Sequence, residues 1–537
     1  MTSINKNFKS RDTSCEEING KHFLNNKIFR VIATNFVFLC VVYFFFISNI
    51  LTNTHDGLWH SDGYSLAVKF DIQTGRWLTP VFTILKKCFA VEPINTLISL
   101  MLVSVITFLI LDIFNQLNVL GQIIGFIISL SATFTAQMAY SYMSQAFLIA
   151  EVLATVSVWA FIKLNSKYKY IISVIFLVLA LSFYQGALAC YTIIMVFYLM
   201  YLFITSNDNI VSFKKTLSSV IVCGTSCVLY YCVWTMVCYT LNIEKSSYMG
   251  ANDLNIITMI KSIPNVTKIV YESFYNFIFN GGVIKQYPFN DTFAFRVLII
   301  VYLLVLLAIP ILNLKFKQQM KNVIIFGFLL VLSPLLCNPQ KFLAVNSEIL
   351  PQISIGYTLY FPLSVLFLIA CIDNSVKFKI INIGKRIIYI FIILSFLSRG
   401  YQISIDFYTM YKTREASTNI MNLVVNRIIN DGLYEKEYNY VFLGTPFNNA
   451  LYRKAEIYNY ANHQFVIGRF YGITEGGIGG YRGLLNYYMG LDFKFDHNIF
   501  KDVFERNKNG EFNELEDFPS ENCYTIENGT VIFRIAK

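Results

Sequence analysis

The chain has 537 residues, 55% of them hydrophobic and 14% charged, with a net charge of +10 and a positive mean hydropathy of +0.52. A soluble domain carries roughly a quarter charged residues, so that class is excluded; the apolar residues fall in runs long enough to cross a bilayer, about 20 residues per helix. The positive charge does not point to nucleic acid, because 14 basic residues face 17 acidic ones from Asp406 onward and the excess lies in short junctions between apolar runs, where membrane proteins keep Lys and Arg.

In chain order, a polar N-terminal segment (1–27) precedes a long apolar region (28–401) and a polar tail (402–537). The apolar run starting at Ile28 outlasts a signal-peptide core, so it is expected to remain as an anchor. Length and hydropathy predict a polytopic α-helical membrane protein of about 11 transmembrane helices. The spans are 28–51, 94–114, 119–138, 144–164, two within 170–204 divided at Tyr184-Gln185-Gly186, 217–241, 295–314, 323–337, 355–372 and 387–401. With this count, Lys21, Lys27 and Arg30 share one side with Lys163/Lys167/Lys169, Lys214/Lys215, Lys315/Lys317/Lys321 and Lys377/Lys379/Lys385/Arg386. Such clusters mark the cytoplasmic face. The expectation is a multi-pass protein of the cytoplasmic (inner) membrane with its N-terminus inside. The external loops are then 52–93 and 242–294, and the Tyr184 break and the tail lie on that face as well.

The tail reads as a small extracytoplasmic α/β domain. Asn439–Gly444 reads as a buried strand ending in a turn, residues 416–431 as an amphipathic helix, and Val531–Ile535 as a closing strand after the Asn528-Gly529 turn. Most of the 11 Cys lie in apolar runs and act there as small hydrophobes. Their spacing suits neither zinc nor a disulfide framework.

The 52–93 loop holds the densest group of acids, His, Trp and Gly in the first half of the chain. Asp56 and Asp62 are the catalytic candidates. A carboxylate at the membrane surface can take a proton from an attacking sugar hydroxyl, or hold a divalent cation (Mg or Mn) that steadies a diphosphate. Each also precedes a Gly, and Asp-Gly pairs make turns. Asp71 is read as a surface residue of an amphipathic segment. Arg76 offers a planar fork for phosphate, or an interfacial anchor beside Trp77. Glu151 lies about two turns inside the fourth span; an ionisable group there serves function or pairs with a bundle-facing Lys or Tyr. Tyr184 and Gln185 interrupt an apolar run, where they suit sugar hydroxyls or a hydrophilic hairpin. The 242–294 loop combines Lys261, Lys268 and Lys285 with aromatics, as in a helix lying on lipid. Arg296 and Lys341 are further phosphate candidates. The Gly-rich run 472–480 lacks the Gly-Lys-Ser/Thr ending of a P-loop, and the five His are scattered.

His55-Asp56-Gly57-Leu58, followed by Gly75-Arg76-Trp77-Leu78, resembles the first external loop of the bacterial Gtr type II glucosyltransferases. Ser182-Phe183-Tyr184-Gln185-Gly186 resembles their mid-chain Tyr-Gln motif, and Phe518-Pro519 through Val531–Ile535 their closing strand. The chain departs from the pattern at Gln352–Tyr357, where an Arg is expected before the tenth span; Lys341 or Arg296 would have to replace it. The resemblance implies a GT-C-type enzyme moving glucose from a polyprenyl-phosphate carrier to a lipid-linked or surface glycan such as O-antigen, as in serotype conversion. It also implies dependence on a donor synthase and a flippase. On this sequence it makes Asp56 and Asp62 the catalytic region, with Arg76 and Tyr184-Gln185 shaping the pocket.

Two other classes share the polytopic, basic character. A flippase or transporter of lipid-linked sugars is disfavoured because internal repeats are lacking. A glycan polymerase or ligase is disfavoured because the 242–294 loop is poor in acids.

Overall fold

The computed structural model describes residues 27–52, 68–85, 91–205, 209–250, 256–280, 282–284, 287–288, 320–373, 379–434, 437–454 and 478–537. Without water, a backbone must satisfy its own hydrogen bonds, and a single apolar segment does so only as a helix. The membrane region is accordingly helical: α1 (Lys27–Val42), α2 (Phe44–Ser48), α3 (Val68–Gln73), α4 (Thr79–Leu85), α5 (Ile94–Ile113), α6 (Val119–Ser129), α7 (Ala132–Met138), α8 (Ser144–Lys163), α9 (Lys169–Phe183), α10 (Ala187–Thr205), α11 (Asn209–Thr240), α12 (Ile256–Tyr275), α13 (Met320–Leu332), α14 (Gln340–Leu343), α15 (Ile355–Asp373) and α16 (Lys379–Asn430). Among the described residues, α5, α8, α10 and the Ser212–Thr240 part of α11 are long and apolar enough to cross a membrane. A fifth crossing forms if α6 and α7 count as one span bent by 51°. The shorter apolar helices are α9 and the Ile355–Cys371 part of α15. This is a helix-rich, membrane-embedded protein. The predicted span 295–314 lies outside the described residues.

Small and hydroxylated residues set the helix contacts, as expected where lipid removes any hydrophobic drive between helices. On α8 and α9, the Ser157 and Ser173 hydroxyls each donate to the other's backbone carbonyl, at 2.7 and 2.9 Å. At the bend between α6 and α7, Ser131 donates to Thr358 of α15 at 2.7 Å, and Thr358 donates to Thr133 at 3.0 Å. The broken backbone therefore faces protein hydroxyls instead of lipid. Residues 387–401 and 416–431, expected as a span and a separate helix, lie on the single 52-residue helix α16. Between Tyr401 and Ala416 there is neither Pro nor Gly, so nothing stops the helix from propagating. Its Arg414 reaches back to the Asn49 carbonyl at 2.9 Å.

After α16 come β3 (Asn439–Leu443), α17 (Ala450–Arg453), α18 (Ile478–Arg482), α19 (His497–Lys508), β4 (Tyr524–Glu527) and β5 (Thr530–Arg534); a short antiparallel pair, β1 (Gly282–Ile284) and β2 (Tyr287–Pro288), precedes α13. The last three strands form a sheet in the order β3-β5-β4, with β3 parallel and β4 antiparallel to β5. Both faces of β3 and β5 are covered. Val441, Leu443 and Ile532 pack with Phe500 and Val503 of α19, while Tyr440, Phe442, Val531 and Phe533 join the main core with Val424 and Ile428 of α16. Burial on two sides explains the continuous apolar run of β3. Asn528 and Gly529 turn between β4 and β5 with φ of 45° and 73°, the signs of a type I′ hairpin.

Candidate functional site

The described part of the first loop is a hairpin, α3 and α4 joined at Thr74–Leu78, which carries Asp71, Arg76 and Trp77. Gly75 makes the turn at φ +86°, and a Cβ there would lie 2.1 Å from the Tyr230 hydroxyl and 2.6 Å from Gln185 Nε2. Glycine alone meets both the backbone angle and the close approach. Side chains from distant helices clamp the turn. Gln185 donates to the Thr74 carbonyl at 2.8 Å and to the Tyr230 hydroxyl at 2.7 Å. Tyr230 donates onward to the Gly75 carbonyl at 3.0 Å, and Trp234 Nε1 to the Ile72 carbonyl at 2.7 Å. On the far side, Leu78 N–H donates to the Ser182 carbonyl and the Thr79 hydroxyl to the Phe183 carbonyl, both at 3.1 Å.

These bonds use the break between α9 and α10. Backbone groups that a continuous helix would consume are free there to hold the hairpin. Tyr184 leaves α9 in extended conformation, and the Arg76 guanidinium stands 5.0 Å from its ring centroid, within cation–π range. Arg76 Nε and Trp77 Nε1 are buried donors without a partner among the described residues. Burial pushes the Tyr184 phenol up to about 12, against the opposing pull of Arg76, so it stays a neutral hydroxyl. The ring also meets Phe147 of α8 at 4.5 Å. One turn further along α8, Glu151 is buried and its Oε1 accepts from Gln137 Nε2 at 2.7 Å. Gln137 donates as well to the Gln352 carbonyl at 2.9 Å. All of this lies at the end of the bundle opposite Lys163, Lys167 and Lys169.

The structure brings Arg76, Tyr184 and Gln185 together, with Glu151 on the adjoining helix. Asp56, Asp62 and Arg296 lie outside the described residues, as do Lys285 and most of the 472–480 run. Lys341 is buried on α14 and donates to the Ser347 carbonyl of its own loop. Burial lowers its ammonium, with Glu348 acting in the other direction. Among the described residues no hydrogen bond joins Lys341 to Arg76, Tyr184 or Gln185. Asp71 corrects an expectation: it is 3% exposed, not on the surface. Burial pushes its carboxyl up to about 6, while Arg76 pulls the other way. The polar face of α3 meets α11, not water.

Three clamp and pocket residues escaped the sequence. Gln137 carried a signal, an amide inside an apolar run, where polar groups are costly unless used. Tyr230 and Trp234 resemble an ordinary interfacial aromatic belt, and their partners lie 155 and 162 residues away.

Among the described residues no group of three or more His, Cys, Asp or Glu is placed to hold a metal ion. No curated protein and no solved structure matches the chain. The family model for glucosyl transferase GtrII matches residues 44–339, just over half of the chain. That stretch contains the hairpin, its clamp, Glu151 and the Tyr184 break. The chain belongs to the glucosyl transferase GtrII family, as a membrane-embedded glucosyltransferase.

Proposed function

We propose that the protein moves a glucosyl group from a polyprenyl-phosphate carrier to a cell-surface or lipid-linked glycan on the extracytoplasmic face of the inner membrane. The observation that carries this reading is Arg76, held over Tyr184 with a buried Nε that has no partner among the described residues, at the end of the bundle away from the Lys-rich junctions. A guanidinium suits a phosphate that gains charge as it leaves. A carrier anchored in lipid reaches such a site without crossing water, which a soluble nucleotide sugar does not. The GT-C architecture, the eleven spans and an extracytoplasmic α/β domain beginning near residue 402 belong to the same proposal.

The reaction is a single displacement that inverts the anomeric centre. The acceptor hydroxyl oxygen bonds to C1 as the C1–O bond to phosphate breaks. Its proton passes to a carboxylate, Asp56 or Asp62, and polyprenyl phosphate departs with the bonding electrons. Arg76 stabilises the departing phosphate, and the Gln185–Tyr230 clamp keeps Arg76 in place. The test uses purified full-length protein in detergent, radiolabelled polyprenyl-phosphate glucose and a cell-envelope glycan fraction. Transfer of label to glycan is expected; no transfer from any polyprenyl-phosphate hexose would sink the proposal. Asp56→Asn and Asp62→Asn, made singly, identify the base, since one of them should lose nearly all transfer while remaining folded.

A further inference from the structure

A second polar feature adjoins the hairpin and is not needed to hold it. Gln137 commits both protons of its amide, one set toward Glu151 Oε1 at 2.7 Å and the other toward the Gln352 carbonyl at 2.9 Å. An amide nitrogen has only two protons to give, so the orientation of the group is decided and its oxygen points elsewhere. Gln137 Oε1 and Glu151 Oε2 are both buried and have no partner among the described residues. Gln137 is 0% exposed and Glu151 3% exposed. An orphaned buried polar atom carries an uncompensated desolvation cost, and two neighbouring ones in a single bonded pair are rarely left so without a use.

The surroundings say where they face. Glu151 lies one turn along α8 from Phe147, whose ring packs at 4.5 Å on Tyr184. The Tyr184 ring also carries Arg76 at 5.0 Å. The Tyr184 hydroxyl experiences the charges of both Arg76 and Glu151. A cationic donor and the Glu151–Gln137 pair are thus both within reach of one aromatic residue. That combination matches a sugar phosphate, with its anionic group and its hydroxyls. Gln137 Oε1 accepts only and so requires a donor, while Glu151 Oε2 accepts from a hydroxyl as a carboxylate or donates to one as a carboxylic acid. A sugar hydroxyl both donates and accepts and so answers both atoms, whereas a phosphate oxygen or a carbonyl has no proton to give Gln137 Oε1.

We propose that Glu151 and Gln137 form the subsite that reads hydroxyl groups of the transferred neutral hexose, and that they set specificity without taking part in proton transfer. This rests on the glycosyltransferase reading but not on the identity of the carrier. It separates the two roles open to Glu151, since among the described residues its hydrogen-bond partner is Gln137 and not a bundle Lys or Tyr.

The experiment reads the sugar apart from the phosphate. Full-length protein in a detergent without sugar is titrated with dodecyl glucoside and with its monodeoxy analogues, following tryptophan fluorescence. Dodecyl glucoside is expected to bind, and loss of one or two particular hydroxyls to weaken it by about tenfold, as for one hydrogen bond to a charged or buried partner. The double variant Glu151→Leu/Gln137→Leu removes both ends of the pair, which avoids stranding either side chain. It should bind the parent glycoside about as weakly as the deoxy compound and no longer tell them apart. Absence of binding, equal binding of all analogues by the wild-type protein, or unchanged discrimination in the double variant overturns the subsite. The wild-type comparison stands even where the variant fails to fold. Failure of the donor reading looks different: no transfer from polyprenyl-phosphate glucose while the glycosides are still distinguished.

Discussion

The two ends of α8 carry polar groups of opposite character. At the Lys163 end, Lys163 donates to Asn115 at 2.7 Å and stands 3.8 Å from Asp112 Oδ1, while Asp112 Oδ2 accepts from Trp159 at 2.7 Å. Both charged side chains keep about a fifth of their surface exposed, 22% and 24%. At the Ser144 end, Glu151 is buried with one oxygen that has no partner among the described residues, near an Arg and a Trp whose buried nitrogens likewise have none there. The first cluster is complete in itself and holds helices together at the water's edge. The second is incomplete, and its open atoms are what a ligand would fill. Counting charges would rank the two ends alike, whereas satisfied hydrogen bonds separate them.

Substitutions at the two ends should therefore differ sharply. The largest loss is expected for Gly75→Ala, since the new Cβ would meet Tyr230 and Gln185 and push Arg76 out of place. A displacement of this kind costs about 100-fold in rate, read as initial transfer of labelled glucose in membranes. Near-normal transfer would show that the hairpin does not set the site. Arg76→Lys keeps the charge but loses the planar fork, and kcat should fall by about 30-fold. A change confined to KM would make Arg76 a binding group only. Tyr230→Phe removes the bond to the Gly75 carbonyl and the acceptor for Gln185; a loss of about tenfold is expected, smaller than for Arg76 because Trp234 still holds the turn.

Asp71→Asn tests burial of charge. The Asp71 carboxyl titrates at about 6 in the folded protein against an ordinary 3.8. The folded state therefore binds more protons than the unfolded state between these values, and stability falls as pH rises through that window. The Asn variant should melt several degrees higher than wild type at about pH 7, and the gap should close below about pH 4. A gap independent of pH would mean that the effect is not ionisation. The smallest effect belongs to the far end: Lys163→Met should change transfer by less than about twofold and stability by no more than about 1 kcal/mol, the range of exposed pairs. A large loss there would erase the contrast between the two ends.

Features that depend on neighbours along the chain were legible in the residues alone. Apolar runs of bilayer length placed α5 and α8 to within a residue or so of their observed limits, Ile94–Ile113 and Ser144–Lys163. A polar Tyr-Gln-Gly in an apolar run marked the break after Phe183, and Asn528-Gly529 between alternating residues marked the last hairpin. These signals are local because helix and turn formation are decided by the backbone and its immediate side chains. Which polar groups lose water, by contrast, depends on packing between segments far apart in the chain. Asp71 looked exposed because its helix is amphipathic, yet it is buried in a hairpin whose Ile72 and Gly75 carbonyls accept from Trp234 and Tyr230, more than 150 residues away. Gln137 links Glu151 to the Gln352 carbonyl only because the bend at Ser131 and the segment before α15 bring these groups side by side. Burial and hydrogen-bond completion are properties of contacts between distant segments, and in a membrane bundle they separate the polar residues that brace the fold from those left open to a substrate.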